Sequence, residues 1–159
     1  LLRTREENLV PRLEQLLEEG RQVARTLEKL RASGGDDVVG RLLEGATSLG
    51  GVRVVASVVE AGDADELRAV GDRLRERLGS GVAVLAATLG DRSTLFAVAT
   101  DDMVQRGVRA DVVVREVAAV AGGKGGGKPH MAQAGVTQPE RIPEALARVL
   151  DVVRPLLGP

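Results

Sequence analysis

The residues best able to do chemistry lie in one stretch: Gly122-Gly123-Lys124-Gly125-Gly126-Gly127-Lys128-Pro129-His130-Met131-Ala132-Gln133-Ala134-Gly135. Five glycines fall within the six positions 122–127, and each loses more backbone freedom on folding than any other residue. Such a run makes physical sense where the chain must approach something closely or take positive φ angles. Successive exposed N–H groups can form a nest for an anion, Lys124 and Lys128 add charge around it, and phosphate is the natural ligand. The stretch is not a P-loop, because Pro129 follows Lys128 where that motif needs Ser or Thr. Nor is it a dinucleotide fingerprint, since it follows a helical pattern rather than the first strand of a βαβ unit. The structural alternative is a helix C-cap running into a flexible surface loop.

The rest of the inventory excludes more than it offers. The 159 residues contain no Cys and one His, His130. Disulfides, thiol catalysis, thiolate metal sites and multi-histidine centres are therefore out of reach of this chain, whereas oxygen-only sites are not. The lack of Cys fits a reducing, cytoplasmic setting. Phe96 is the sole aromatic, so no platform exists for stacking a run of bases. Net charge is −1, and distribution matters more than the sum. Only Lys29, Lys124 and Lys128 are lysines, and no Asp or Glu occurs from Val117 to Pro139, which makes the glycine stretch a positive island. No run of about 18 apolar residues is present, so no membrane-spanning helix and no membrane partner are expected. A chain starting at Leu1 without a signal-peptide pattern is expected to be part of a longer polypeptide.

These residues need elements to hold them. Residues 1–35 read as a helical arm: Leu9, Leu13, Leu16, Val23, Leu27 and Leu30 recur at heptad spacing, with Gly20 in the missing seam position. Leu2 and Glu6 extend the seam backwards, and Pro11 is a place where the regular helix restarts. The arm either lies on its own globular domain or pairs as a dimeric or interdomain coiled coil. Ser33-Gly34-Gly35-Asp36-Asp37 is the hinge.

Residues 36–159 read as a small α/β domain. A short helix carries Val38, Val39, Leu42 and Leu43 and is expected to end near Gly50-Gly51. Residues 52–59 and 82–89 are apolar, β-branched strands joined by a helix striped with Leu67, Val70, Leu74 and Leu78, a right-handed βαβ unit. Asp63 and Glu66 form a capping box at that helix. Residues 94–100 return antiparallel after a turn at 90–93. Asp111 is expected to cap a helix over 112–121 that Gly122-Gly123 stops, and Thr137 to Glu140 resembles another capping box before a final helix striped by Ile142, Leu146, Val149, Leu150 and Val153. A mixed sheet of three or four strands with flanking helices is the expected architecture.

The motif GGKGGGKPHMAQAG resembles the signature of the DHHA1 domain at the C-terminus of alanyl-tRNA synthetases (C-Ala), whose usual form is close to GGKGGGRPDMAQAGG. The heptad arm and the strand-helix-hairpin-helix order are also similar, so the resemblance covers essentially the whole chain. Lys128 stands where Arg is common, which keeps charge but loses planar bidentate recognition; His130 replaces an Asp, and Val136 a Gly. The resemblance implies a tRNA-binding module that docks the outer corner, or elbow, of alanine tRNA. It would help couple aminoacylation with editing in the parent synthetase and contribute to a homodimer through the arm. Gly122, Gly123, Lys124, Gly125, Gly126, Gly127, Lys128, His130 and Gln133 are the implied tRNA-binding residues. Lys124 and Lys128 would meet phosphates, Gln133 a ribose hydroxyl or base edge, and His130 would steady the loop. Met131 and Ala132 read as core plugs beneath it, and Arg68, Arg73, Arg75 and Arg77 as a solvated helix face.

Neither synthetase motifs nor the histidine-rich editing motif occur here, so no catalysis and no cofactor are expected of this chain alone. ATP, magnesium and an editing-domain zinc would serve the parent enzyme's other domains. Two other readings compete. One is a dimerisation and spacing module with a glycine loop that merely packs. The other is the substrate-gripping DHHA1 domain of a DHH-type phosphoesterase, whose manganese site would require an Asp/His-rich domain that this chain lacks.

Overall fold

A computed structural model describes residues 15–26 and 37–158. Contacts divide the chain into two compact units, Leu1–Asp37 and Val38–Pro159. In the first, residues 15–26 form a helix, on which Leu16, Leu17 and Val23 are all about 60% exposed. The rest of the heptad seam, Pro11 and the hinge at 33–36 lie outside the described residues.

The second unit is a six-stranded mixed sheet between two helical layers, with strand order β1-β2-β3-β4-β6-β5. Helix α1 (37–44) stops well short of Gly50-Gly51, because those glycines turn a hairpin instead. Both have positive φ, 59° and 84°, and they join β1 (Thr47–Leu49) to β2 (Val52–Val58), which pair antiparallel. Positive φ at both central residues matches the right-handed twist of the flanking strands. Three residues are too few for a strand to show a period, so β1 was not expected.

Helix α2 (Ala64–Leu78) carries the chain over to β3 (Gly81–Leu89), which lies parallel to β2. Its start is capped as the sequence indicates: the Glu66 amide donates to Asp63 Oδ1 at 2.8 Å. Glu66 reaches back one residue further than a standard capping box, accepting from the Gly62 amide at 2.7 Å. Leu67, Val70, Leu74 and Leu78 are buried, as expected. Gly71 completes that stripe because Phe96 needs its space: a Cβ there would sit 2.2 Å from the ring. Strand β4 (Arg92–Ala99) returns antiparallel on β3. Residues 81–87 of β3 are all buried, since helices cover both faces at the sheet centre.

Alternation along the strands sorts the core into two layers. Leu95, Ala97 and Ala99 face Val113, Val114 and Val117, whereas Phe96 and Val98 face Leu67, Val70 and Leu74. Helix α3 (Asp101–Gln105) was not anticipated. Helix α4 (Ala110–Val120) starts two residues earlier than expected and is not capped by Asp111; its N-cap is Arg109, which makes no side-chain cap bond. Asp111 instead lies in the first turn, only 7% exposed, and its carboxylate accepts two bonds from the Arg109 guanidinium, at 3.0 and 3.1 Å. A bidentate arginine outcompetes the backbone for a carboxylate placed inside the helix.

The final helix is broken into a 3-10 turn (Pro139–Arg141), α5 (Ile142–Ala147) and α6 (Val149–Leu156). Thr137 does not cap it. Its hydroxyl donates to the Gly122 carbonyl at 2.8 Å, which ties the chain back to the end of α4. The α/β class and flanking helices are as expected, whereas the sheet has six strands rather than three or four.

Candidate nucleic-acid interface

Two of the extra strands come from the glycine stretch. It is a β-hairpin and not a loop: β5 (Lys124–Lys128) pairs antiparallel with β6 (Met131–Val136) across Pro129-His130, and β6 pairs with β4. The backbone of β5 is extended, so its N–H groups do not converge as in a nest. Lys124-Gly-Gly-Gly-Lys128 has almost no intrinsic strand preference, and packing decides its conformation.

The glycines divide by position. Gly122 and Gly123 end α4 with two bonds, from the Gly122 amide to the Ala119 carbonyl and from the Gly123 amide to the Ala118 carbonyl, at 3.3 and 2.7 Å. Gly122 has φ 68°, the left-handed turn that favours glycine at a helix C-terminus. A Cβ on Gly123 would lie 2.4 Å from the Gly135 carbonyl oxygen. Gly125 and Gly127 pair with Ala134 and Ala132, which are buried against α4. A Cβ at either glycine would come within 2.3 Å of the Ala134 Cβ or 2.7 Å of the Ala132 Cα. Gly126 differs: nothing lies within 4 Å of its missing Cβ, and its φ is not in the positive region.

The hairpin is fastened to α4 at both ends. At one end the Ala110 amide donates to the Pro129 carbonyl at 2.7 Å, and at the other the Gln138 amide donates to the Ala121 carbonyl at 3.0 Å. The His130 carbonyl accepts from the Ala99 amide at 3.0 Å, extending the β4–β6 ladder. The half-buried turn at His130 is thus held by its backbone.

Lys124, Gly126 and Lys128 share the other face with Gln133, Met131 and Gly135, and with Thr94, Phe96 and Val98 on β4. Helix α2 covers this face over β3 and β4, while α4 covers the opposite face of β4, β5 and β6. The β5–β6 half is therefore open, and Lys124, Lys128 and Gln133 are exposed on it. Ala132 is buried as the sequence suggests, and Met131 is partly buried against the α2-side core.

Two shallow cavities of about 480 and 600 Å³ border this face, and Gln133 lines both. The first also takes in Lys128, His130 and Arg68; the second takes in Lys124 and Arg92. No Asp or Glu lines either cavity, whereas Glu60 lines the groove beside α1 and three carboxylates line the one beside α3. Arg68 and Arg92 escape sequence reasoning: one is hidden in a helix of alternating charges, the other stands at a turn. The only sequence signal for Arg92 is the period-2 alternation that puts it on the face of Thr94 and Phe96. Among the described residues no group of three or more His, Cys, Asp or Glu is placed to hold a metal, and no helix is long and apolar enough to cross a membrane.

Residues 51–154 match the DHHA1 domain family. The alanine–tRNA ligase of Alkaliphilus oremlandii is 41% identical over 152 residues, covering 96% of this chain and 17% of that protein. That of Clostridioides difficile is 37% identical over 153 residues, with the same coverage of 96% and 17%. This chain thus spans about 17% of the length of these curated relatives. The crystal structure of the C-Ala domain from Aquifex aeolicus alanyl-tRNA synthetase superposes with a TM-score of 0.61 at 29% identity, over 69% of this chain and 97% of that one. The chain belongs to the DHHA1 domain family, in the form that alanyl-tRNA synthetases carry as their C-Ala domain.

Proposed function

We propose that this domain binds tRNA for a parent alanyl-tRNA synthetase, docking the outer corner of alanine tRNA through the open face of β5 and β6. One observation carries the reading: Lys124, Lys128 and Gln133 stand together, exposed, on a sheet face whose bordering cavities contain no carboxylate. Phosphates would meet the lysines, and Gln133 would meet a ribose hydroxyl or base edge between them; shape and 2′-hydroxyl contacts dominate recognition of structured RNA. Holding the elbow would let one tRNA serve the aminoacylation and editing sites in other domains of the parent. ATP, magnesium and zinc would act in those domains.

The test is fluorescence anisotropy with labelled alanine tRNA and with a minihelix lacking the elbow, across a salt series. Full tRNA is expected to bind more tightly, with log K falling against log salt by roughly 0.7–0.9 per phosphate neutralised. The Lys124→Ala/Lys128→Ala double variant should weaken binding and flatten that slope. Equal weak binding of both RNAs, unaffected by the lysines, would refute the reading.

A second role has its own support. Leu16 and Val23, one heptad apart on the seam, are 59% exposed, as expected of a helix that buries a stripe against another copy. Analytical ultracentrifugation of the full chain against Leu16→Glu/Val23→Glu decides it, a monomer in both cases ruling out dimerisation through the arm.

A further inference from the structure

Resting on the tRNA reading above, we infer that Arg68 and Arg92, from outside the glycine hairpin, complete two separate phosphate subsites, each an Arg–Lys pair, on either side of Gln133. Strand register puts one pair at each end of β5. Lys124 pairs with Gly135, which pairs with Thr94, two residues from Arg92 on the same face of β4. Lys128 pairs with Met131, and the neighbouring Gly126–Gln133–Phe96 row leads across the sheet to α2. The Phe96 ring lies against Gly71 of α2, one helical turn after Arg68, which brings Arg68 over the Lys128 end. Cavity lining agrees: Arg68 with Lys128 in one, Arg92 with Lys124 in the other, and Gln133 common to both.

Charge accounting points the same way. None of these four cations has an ion-pair partner among the described residues, although Arg75, Arg109 and Arg141 do. Four unneutralised cations around a carboxylate-free face repel one another, and an anion at each end relieves that repulsion. The four residue steps from Lys124 to Lys128 span about 13 Å of extended backbone, so the two ends serve two phosphates of a folded RNA. Between them the surface is bare main chain, with open space above both Gly126 and Gly135. A backbone can lie flat against that strip while Gln133, midway, reaches a sugar lying between the two phosphates.

The test measures the affinity of the full chain for an alanine tRNA transcript over a salt series, with Arg68→Gln, Arg92→Gln, Lys124→Gln, Lys128→Gln and the pairwise doubles. Arg77→Gln, an exposed position on the same helix as Arg68, serves as the diffuse-charge control, and thermal melts monitor folding. Each subsite single variant should weaken binding about three- to tenfold and lower the salt slope by roughly 0.7–0.9, with Arg77→Gln nearly silent. Arg68→Gln should couple with Lys128→Gln and Arg92→Gln with Lys124→Gln, while cross-subsite doubles add. Silent arginine variants alongside damaging lysine variants would overturn the two subsites and leave tRNA binding by the hairpin standing. An Arg77→Gln loss equal to that of Arg68→Gln, or simple additivity within each pair, would overturn them too. Lysine variants without effect would remove the underlying tRNA reading itself.

Discussion

Gly125 and Gly126 are neighbours on one strand, yet alanine at the two positions should shift stability in opposite directions. At Gly125 an added Cβ would meet the Ala134 Cβ at 2.3 Å, the Gln133 carbonyl oxygen at 2.8 Å and the Ala134 Cα at 2.9 Å. Two of those atoms are backbone, and Ala134 is only 2% exposed, so the strand pair must separate or the contact with α4 must loosen. Overpacking of this kind costs about 1–3 kcal/mol. At Gly126 no atom lies within 4 Å and φ is unstrained. Alanine there removes freedom from the unfolded chain and should stabilise by about 0.4–1 kcal/mol. The difference between the variants is therefore roughly 1.5–4 kcal/mol, an amount that urea denaturation resolves as a shift in midpoint at constant slope. Equal stability, or a Gly126→Ala variant less stable than Gly125→Ala, would refute the assignment of faces on β5. A bulkier Gly126→Leu then separates packing from function: melting should hold while tRNA affinity falls.

Three further outcomes follow from the packing. Gly71→Ala should destabilise by about 1–3 kcal/mol even though alanine gains about 1 kcal/mol in a helix interior, because the new Cβ meets Phe96 at 2.2 Å; adding Phe96→Leu should recover part of the loss in calorimetry. Arg109→Met leaves the Asp111 carboxylate, 7% exposed, without its bidentate partner. It should cost about 1–3 kcal/mol and speed amide exchange at Ala110, whose N–H holds the Pro129 turn. Hydroxyl bonds from Ser80 and Thr100 hold the Asp102 carboxyl below its ordinary range. A folded-state value below the unfolded one gives stability that is present above the ordinary carboxylate range and lost as pH falls through the folded value. The stability gap between the native chain and Asp102→Asn should therefore narrow in acid; a gap that widens on acidification would contradict it.

Long, periodic elements were legible in the sequence, and elements made by context were not. The βαβ unit could be read because Val and Leu runs, an Asp63–Glu66 start and the four-residue Leu/Val stripe of α2 all point to the same structure. Strand β5 could not, since three glycines between lysines carry neither strand preference nor hydrophobic period. It is extended because Ala132, Ala134 and α4 leave room for nothing thicker. Asp111 misled for a related reason: its residue type signals a cap, but Arg109 two positions earlier claims its carboxylate. The candidate site was half visible. Lys124, Lys128 and Gln133 come together as their proximity in sequence suggests, whereas Gly122, Gly123, Gly125 and Gly127 serve conformation and packing. Arg68 and Arg92 depend on tertiary neighbours that a linear reading cannot supply.

Strand β5 is also the last in its sheet, and an unpaired edge is a template on which another chain can add. Its sequence reads the same in both directions, so a second molecule pairing antiparallel about Gly126 would set Lys124 opposite Lys128 at both ends of the new ladder. Like charges directly opposite each other destabilise a strand pair. The two lysines thus guard the domain against self-association along this edge. Neutralising them removes that repulsion, and because a two-fold β5–β5 contact closes on itself, a dimer joined along this edge is the behaviour to watch for in lysine-free variants.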